Sequence, residues 1–520
     1  MTRALRLTVA LPIVAAGLST AGAPVPVTAA PAFGFAKPIV IDPGRAGGEP
    51  IVYVDRKGTW MYSPHAGTTH FYKQGALAAD QFLVPYRGET YIYRCTAGSA
   101  SCASTPGSWQ YVDLLGTGLH SVGSGFSDPD FTEDTAGTLY HAEINLVQTT
   151  VNHSTDDGIS WTANVTAPAG DRPWLAADGP GVVYLSIDPS GGVHTVYKST
   201  DSGASFSSGV GDDSTLPDGR DIQGNGKLIV DPRTHVIYEP AWVHDSNGNI
   251  AGVGVGVSKD GGATFTQHLA ANDTVYRTFW GMVTEDRAGT LYLLWDQADS
   301  ASGYSSEHPV AIRYSYSKDG GVSWSAARDI SRPGVSVFWP WASGGAAGTL
   351  GVAWYQSDAK AIIESESSNI GIEAAQITGA DTPTPSISIA NATGGPTHIG
   401  TVCQDGTACN VQAADDRRLG EYLTTSFDPA GRMIIAYSDT VLYPNSPVSR
   451  PGLVVQNAGP GFLGGPPVTA TGGGATATAA GAGATPNTGR SAAAAGWLIA
   501  ATGVTVLLVA PVRRRRRWRR

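Results

Sequence analysis

Ser317-Lys-Asp319-Gly-Gly321-Val-Ser323-Trp324 decides the fold, because the same phrase stands at three earlier places in the chain. The other copies are Ser154-Thr-Asp156-Asp-Gly158-Ile-Ser160-Trp161, Ser199-Thr-Asp201-Ser-Gly203-Ala-Ser205-Phe206 and Ser258-Lys-Asp260-Gly-Gly262-Ala-Thr264-Phe265. In each, the Asp carboxylate accepts bonds from nearby backbone N–H groups, the Gly permits φ > 0 in a tight turn, and the aromatic residue anchors the next strand. That chemistry predicts a hairpin tip. The residues before the copies, such as Val193-His-Thr-Val-Tyr197 and Val310-Ala-Ile-Arg-Tyr314, have strand character.

The copies start at 154, 199, 258 and 317, so they lie roughly 45–59 residues apart, near the ~40–50 residues of a four-stranded propeller blade. A second repeat interleaves with them: Asp134-Thr-Ala-Gly137-Thr-Leu-Tyr140, Asp178-Gly-Pro-Gly181-Val-Val-Tyr184, Asp286-Arg-Ala-Gly289-Thr-Leu-Tyr292 and Asp428-Pro-Ala-Gly431-Arg-Met-Ile434. Weaker copies occur at 231–238 and 345–351, and Glu49-Pro-Ile-Val-Tyr53-Val is read as an N-terminal relative. No stretch between 40 and 455 sustains a helical apolar stripe. The expectation is an all-β propeller of seven four-stranded blades, with six as the alternative, over residues 33–455.

The flanks predict export and tethering. Residues 1–29 read as a signal peptide, with Arg3 and Arg6 before an apolar stretch and small residues at Ala23 or Ala29 for cleavage. Residues 492–512 are apolar for long enough to span a bilayer, and the basic tail 513–520 is expected to stay cytoplasmic. Between them, residues 459–489 are Gly, Ala, Thr and Pro with little charge, the composition of a flexible stalk. Cys95 with Cys102 and Cys403 with Cys409 form two close pairs, read as local disulfides of an exported chain, with a metal site as the competing reading. HExxH and CxxC patterns are absent, so no metal or cofactor is expected, and the acidic run 212–218 reads as a solvated loop in preference to a calcium loop. The chain carries 44 acidic against 34 basic residues. Nine of the basic residues lie in the signal and tail, so the exported part is strongly negative and nucleic acid is not an expected partner.

With its four phrases, the chain resembles the Asp-box (bacterial neuraminidase repeat) propellers. The resemblance implies that Asp156, Gly158, Trp161, Asp201, Gly203, Phe206, Asp260, Gly262, Phe265, Asp319, Gly321 and Trp324 are structural residues of the outer blade. It also implies an exo-α-sialidase-type glycosidase, with three arginines on the substrate carboxylate, an Asp acid/base, and a Tyr nucleophile assisted by a Glu. By residue type and position the matches are Arg172, Arg277 and Arg418, Asp130, and Tyr422 with Glu421, while Trp174, Trp280, Trp339 and Trp341 offer aromatic faces to a sugar. The family's early Arg-Ile-Pro motif has no counterpart: Arg45 precedes Ala-Gly-Gly and Arg172 precedes Pro173-Trp174. The order Thr485-Pro486-Asn487-Thr488-Gly489, apolar span and basic tail is similar to a sortase sorting signal, with Thr485 in the place of the usual Leu. The implied function is a surface-anchored glycosidase, with a sugar- or protein-binding propeller without catalysis as the alternative. Its expected partners are an extracellular glycan, the membrane, sortase and peptidoglycan.

Overall fold

The computed structural model describes residues 32–66, 91–112, 127–145, 148–189, 193–272, 281–298, 309–359, 367–403, 409 and 416–468. Among them are seven mainly antiparallel sheets, which form the seven blades of a propeller; a parallel pairing of Gly226–Lys227 with Gly281–Glu285 links the blade 4 segment to blade 5. Blade 1 comprises Gly48–Val54, Trp60–His65, Ile92–Cys95 and Gln110–Val112. Blade 2 comprises Ser127–Glu133, Leu139–Asn145, Gln148–Ser154 and Thr162–Ala167. Blade 3 runs from Asp171–Ala177 through Val183–Asp188 and Thr195–Ser199 to Val210–Gly211. In blade 4 the first strand is broken into Asp221–Gly224 and Ile229–Val230, both paired with Ile237–His244 and followed by Ile250–Ser258 and Thr266–Ala271.

Blade 5 holds Gly281–Glu285, Leu291–Ala298, Pro309–Ser317 and Arg328–Asp329, and blade 6 holds Val337–Gly344, Thr349–Ser357, Ser368–Thr378 and Ser386–Asn391. Blade 7 is assembled from both ends of the propeller sequence. Thr424–Phe427, Met433–Asp439 and Arg450–Ala458 are completed by Gly34–Phe35, with Gly34 opposite Ala458 and Phe35 opposite Gln456. This closes the ring by hydrogen bonds between its first and last strands, so neither is left as an open edge.

The four eight-residue phrases occupy the turn between third and fourth strands in blades 2, 3, 4 and 5. Their bonding repeats. In the Ser317 copy, the Ser317 hydroxyl donates to Asp319 Oδ1 (2.8 Å), the Ser323 amide donates to the same oxygen (2.9 Å), the Gly321 amide donates to Ser317 Oγ (2.9 Å) and Trp324 Nε1 donates to the Gly321 carbonyl (2.9 Å). Hydroxyl and amide donors of this kind hold the carboxyls of Asp201, Asp260 and Asp319 down at about 2.

The second repeat forms the turn between first and second strands. Asp134 Oδ1 accepts from the amides of Ala136 and Thr138, both at 2.9 Å, while its Oδ2 accepts from the Gly181 amide of the next blade at 2.8 Å. Asp286 repeats the arrangement, reaching the Gly348 amide of blade 6 at 2.7 Å. In blade 1 this turn is Asp55-Arg-Lys-Gly58, where Asp55 Oδ1 accepts from Lys57 and Thr59. Glu49–Val54, expected as a copy of the strand after the turn, is therefore the strand before it. That shift carries Glu49 to the start of an inner strand.

The paired cysteines are bonded, Cys95 to Cys102 and Cys403 to Cys409, and the first closes over the short helix Ser99–Ser104. Residues 459–468, expected as the beginning of the stalk, are instead packed on the propeller: Phe462 is fully buried and its carbonyl accepts from the Ala346 amide at 2.8 Å. No helix among the described residues is long and apolar enough to cross a membrane. The signal peptide, the remainder of the stalk, the sorting signal and the expected span at 492–512 lie outside the described residues.

Candidate functional site

The first strands of neighbouring blades face one another around the axis, and four of them begin with the same irregularity. Glu49 (φ 43°), Asp128 (φ 51°), Arg172 (φ 53°) and Trp339 (φ 53°) are left-handed, each is followed by a proline, and each lies in a bulge where the register with the second strand shifts. Non-glycine residues avoid this conformation, and a following proline restricts them further. The strain repeats at one level of four blades and is over-determined by the surrounding sheets, which makes this rim the candidate site. It also sets which side chains reach the mouth of the channel.

The axis itself is filled. Trp174, Trp341 and Tyr422, from blades 3, 6 and 7, meet with ring centroids 5.7–5.8 Å apart, and all three are buried. The Tyr422 hydroxyl donates to the Pro129 carbonyl at 3.4 Å, and burial with nearby carboxylates pushes it well above its ordinary range. Trp339 is also buried, edge-on to Phe338 and Tyr355. Trp174, Trp341 and Tyr422 thus form a floor, with Trp339 packed apart from them, while Trp280 and Arg277 lie outside the described residues.

Above this floor, Glu421 accepts hydrogen bonds from two arginines: Arg417 Nη2 donates at 2.7 Å and Arg172 Nη2 at 3.4 Å. Arg172 also reaches Asp188 Oδ2 at 3.3 Å. Arg418 points elsewhere, donating to both oxygens of Asp416 and to the Ser446 carbonyl. Of the expected clamp of Arg172, Arg277 and Arg418, Arg277 lies outside the described residues and Arg418 pairs with Asp416, while Arg417, one residue earlier, shares Glu421 with Arg172. One of the Arg417 guanidinium nitrogens, Nη1, is buried without a hydrogen-bond partner.

Asp130 lies beneath the mouth. It is fully buried, accepts from the amides of Leu175 and Phe131, and is ion-paired with Lys227, whose strand Gly226–Lys227 pairs with Gly281–Glu285 of blade 5. In a regular strand Asp128 and Asp130 would share a face. The bulge separates them and leaves Asp128 partly exposed at the rim. Burial of its carboxyl, helped by Glu49 and Asp171, pushes Asp128 well above the carboxylate range. Burial and Glu421 likewise push Glu49 up to about 8. Glu49 was missed from sequence; the signal that could have found it is the residue-Pro pair shared with Asp128-Pro129 and Arg172-Pro173.

The mouth thus holds two kinds of carboxyl. Asp128 and Glu49 favour the neutral acid, and Glu421 sits between two guanidinium groups that offset its charge. A carboxyl whose proton is held more tightly beside one bonded by arginines is the equipment of general acid–base chemistry.

No family model matches the chain, and no curated protein matches it. Among solved structures it is similar to a Dyadobacter fermentans protein of unknown function (14% identity, 82% of this chain and 99% of that one, TM-score 0.42). It is also similar to a polysaccharide lyase family 25 ulvan lyase (12%, 81% and 95%, TM-score 0.47) and to the intramolecular trans-sialidase from Ruminococcus gnavus (12%, 78% and 93%, TM-score 0.36). At such identities and scores these likenesses carry no assignment of activity, which has to be argued from the chain's own residues.

Proposed function

We propose that the protein is a glycoside hydrolase acting on extracellular glycans at the channel mouth, with Asp128 as proton donor and Glu421 as the charged partner. The observation that carries this is the contrast between the two carboxyls: Asp128 lies among Glu49, Asp171 and Glu421, which with burial push it well above the carboxylate range, whereas Glu421 accepts hydrogen bonds from Arg172 and Arg417. Asp128 would protonate the glycosidic oxygen, and Glu421 would stabilise or attack the positive charge developing on the sugar. The unpaired nitrogen of Arg417 suits a substrate carboxylate or hydroxyl. A sialoside, with Tyr422 as nucleophile, is the narrower form of this reading. Disulfides and the signal-like N-terminus support a place outside the cell, tethered through the C-terminal segment.

The test is turnover of a panel of fluorogenic aryl glycosides that includes a sialoside and a uronide. Asp128→Asn and Glu421→Gln should each lower kcat by ~10²–10⁴-fold on the accepted substrate. Loss of activity in Tyr422→Phe on a sialoside selects the narrower form, and its retention selects the carboxyl pair. A surface receptor that binds glycans without cleaving them is the second reading, favoured by the prior pairing of both arginines with Glu421. Glycan-array binding with no turnover on any glycoside would establish it and defeat the hydrolase.

A further inference from the structure

The junction of blades 3 and 4 buries a second cluster that the mouth chemistry does not use. His194 precedes the third strand of blade 3, Asp212 follows that blade's last strand, and Glu239 lies on the second strand of blade 4. They are 4%, 2% and 0% exposed, and one ligand atom from each lies within 4.8 Å of the others. Sequence placed Asp212 in a solvated loop; Asp212 itself is buried between exposed Gly211 and Asp213.

Three observations point to a cation. Neither carboxylate oxygen of Asp212, nor Oε2 of Glu239, has a well-formed hydrogen bond; the groups beside Asp212 are the Gly224 amide, without a completed bond, and the Glu239 carboxyl, which is itself an acceptor. Two facing buried carboxylates with His194 as their one nitrogen partner are strongly unfavourable unless further positive charge compensates them. Gly224 keeps the space for Asp212 open, since a Cβ there would fall 1.8 Å from Oδ2. Finally, Asp188 Oδ1 lies 2.6 Å from His194 Nδ1, leaving Nε2 directed at Glu239 Oε1 at 2.7 Å. A carboxylate behind a histidine is the arrangement that fixes the tautomer of a metal-ligating imidazole.

We propose that His194 Nε2, Asp212 and Glu239 bind one divalent first-row transition metal of the Zn²⁺ class, with Asp188 orienting the imidazole from behind. The nitrogen ligand and the small number of oxygens disfavour Ca²⁺ and Mg²⁺, and three protein ligands leave a fourth tetrahedral position. Asp188 also bonds Arg172, so the metal would hold the mouth arginine through one carboxylate. The site stands independently of the hydrolase reading.

The full chain, stripped with chelator, should take up one equivalent of Zn²⁺ from ZnCl₂ by elemental analysis, with a rise in Tm. Co²⁺ in its place should give visible d–d absorption. Asp188→Asn should weaken uptake by about 10–100-fold, and Asp212→Asn should abolish it. Because Asp212→Asn removes a buried charge, its metal-free Tm should equal or exceed that of the metal-free parent, which separates lost binding from lost folding. No stoichiometric Zn²⁺ uptake by the parent chain, unchanged uptake by Asp212→Asn, or tighter binding of CaCl₂ than ZnCl₂ would each overturn the proposal.

Discussion

Single residues at the channel mouth carry consequences that can be measured without a substrate. Glu49 is neutral in the folded protein up to about pH 8, against an ordinary value near 4.5 for the unfolded chain. Between those values the folded state binds more protons than the unfolded state, so this group makes stability fall as pH rises, by at most about 1.4 kcal/mol per pH unit. Glu49→Gln should flatten that part of the profile in urea denaturation from pH 5 to 8; an unchanged slope would show that Glu49 is not the group responsible. Residue-scale roles were the least legible in the sequence. Asp128 and Asp130 differ by one pleat, and Arg417 and Arg418 by one position, yet in each pair one member reaches the mouth and the other is tied into the scaffold. A bulge or a turn made that choice, and neither is written in residue type alone.

At the level of the element, local chemistry explains why the hairpins were readable. The phrase beginning at Ser317 closes its bonds within eight residues, so its sequence fixes its shape without help from distant chain. The Asp55 turn is harder to see although it bonds in the same way, because Glu49–Val54 resembles the strand that comes after such a turn. Gly321 has φ 85°, and a Cβ added there would lie 3.2 Å from Val257 Cγ2 of the preceding blade. Gly321→Ala should therefore cost about 1–2 kcal/mol of stability through left-handed strain. Thermal unfolding would register that loss, while the variant's turnover should equal that of the parent, since the turn lies away from the mouth residues.

For the whole molecule, the count of seven blades was legible in the repeats, but the way the ring is shut was not. Closure needs Gly34–Phe35 beside Arg450–Ala458, a pairing across more than four hundred residues with no local signature. Nor did composition distinguish residues 459–468 from the stalk that was expected to begin there. Phe462 is the side chain that fastens this region: it stacks on Phe427 at 4.6 Å, meets Phe33 edge-on at 6.1 Å, and its backbone bonds Gly431 and Ala346. Phe462→Ala should cost about 3–5 kcal/mol and raise amide hydrogen exchange in Arg450–Ala458 more than in blades 2 to 5. Uniform exchange across the blades would contradict a closure that depends on this residue.

That buckle gives the ring a load path. A pull applied from the C-terminal side meets the Gly459–Val468 bridge and the Phe462 socket before it reaches the last strand. The socket spans blade 6, blade 7 and the N-terminal strand, so tension is shared among three parts of the toroid instead of peeling one strand from its edge. Force entering at Val468 would then be spread through the ring before any one strand is unwound.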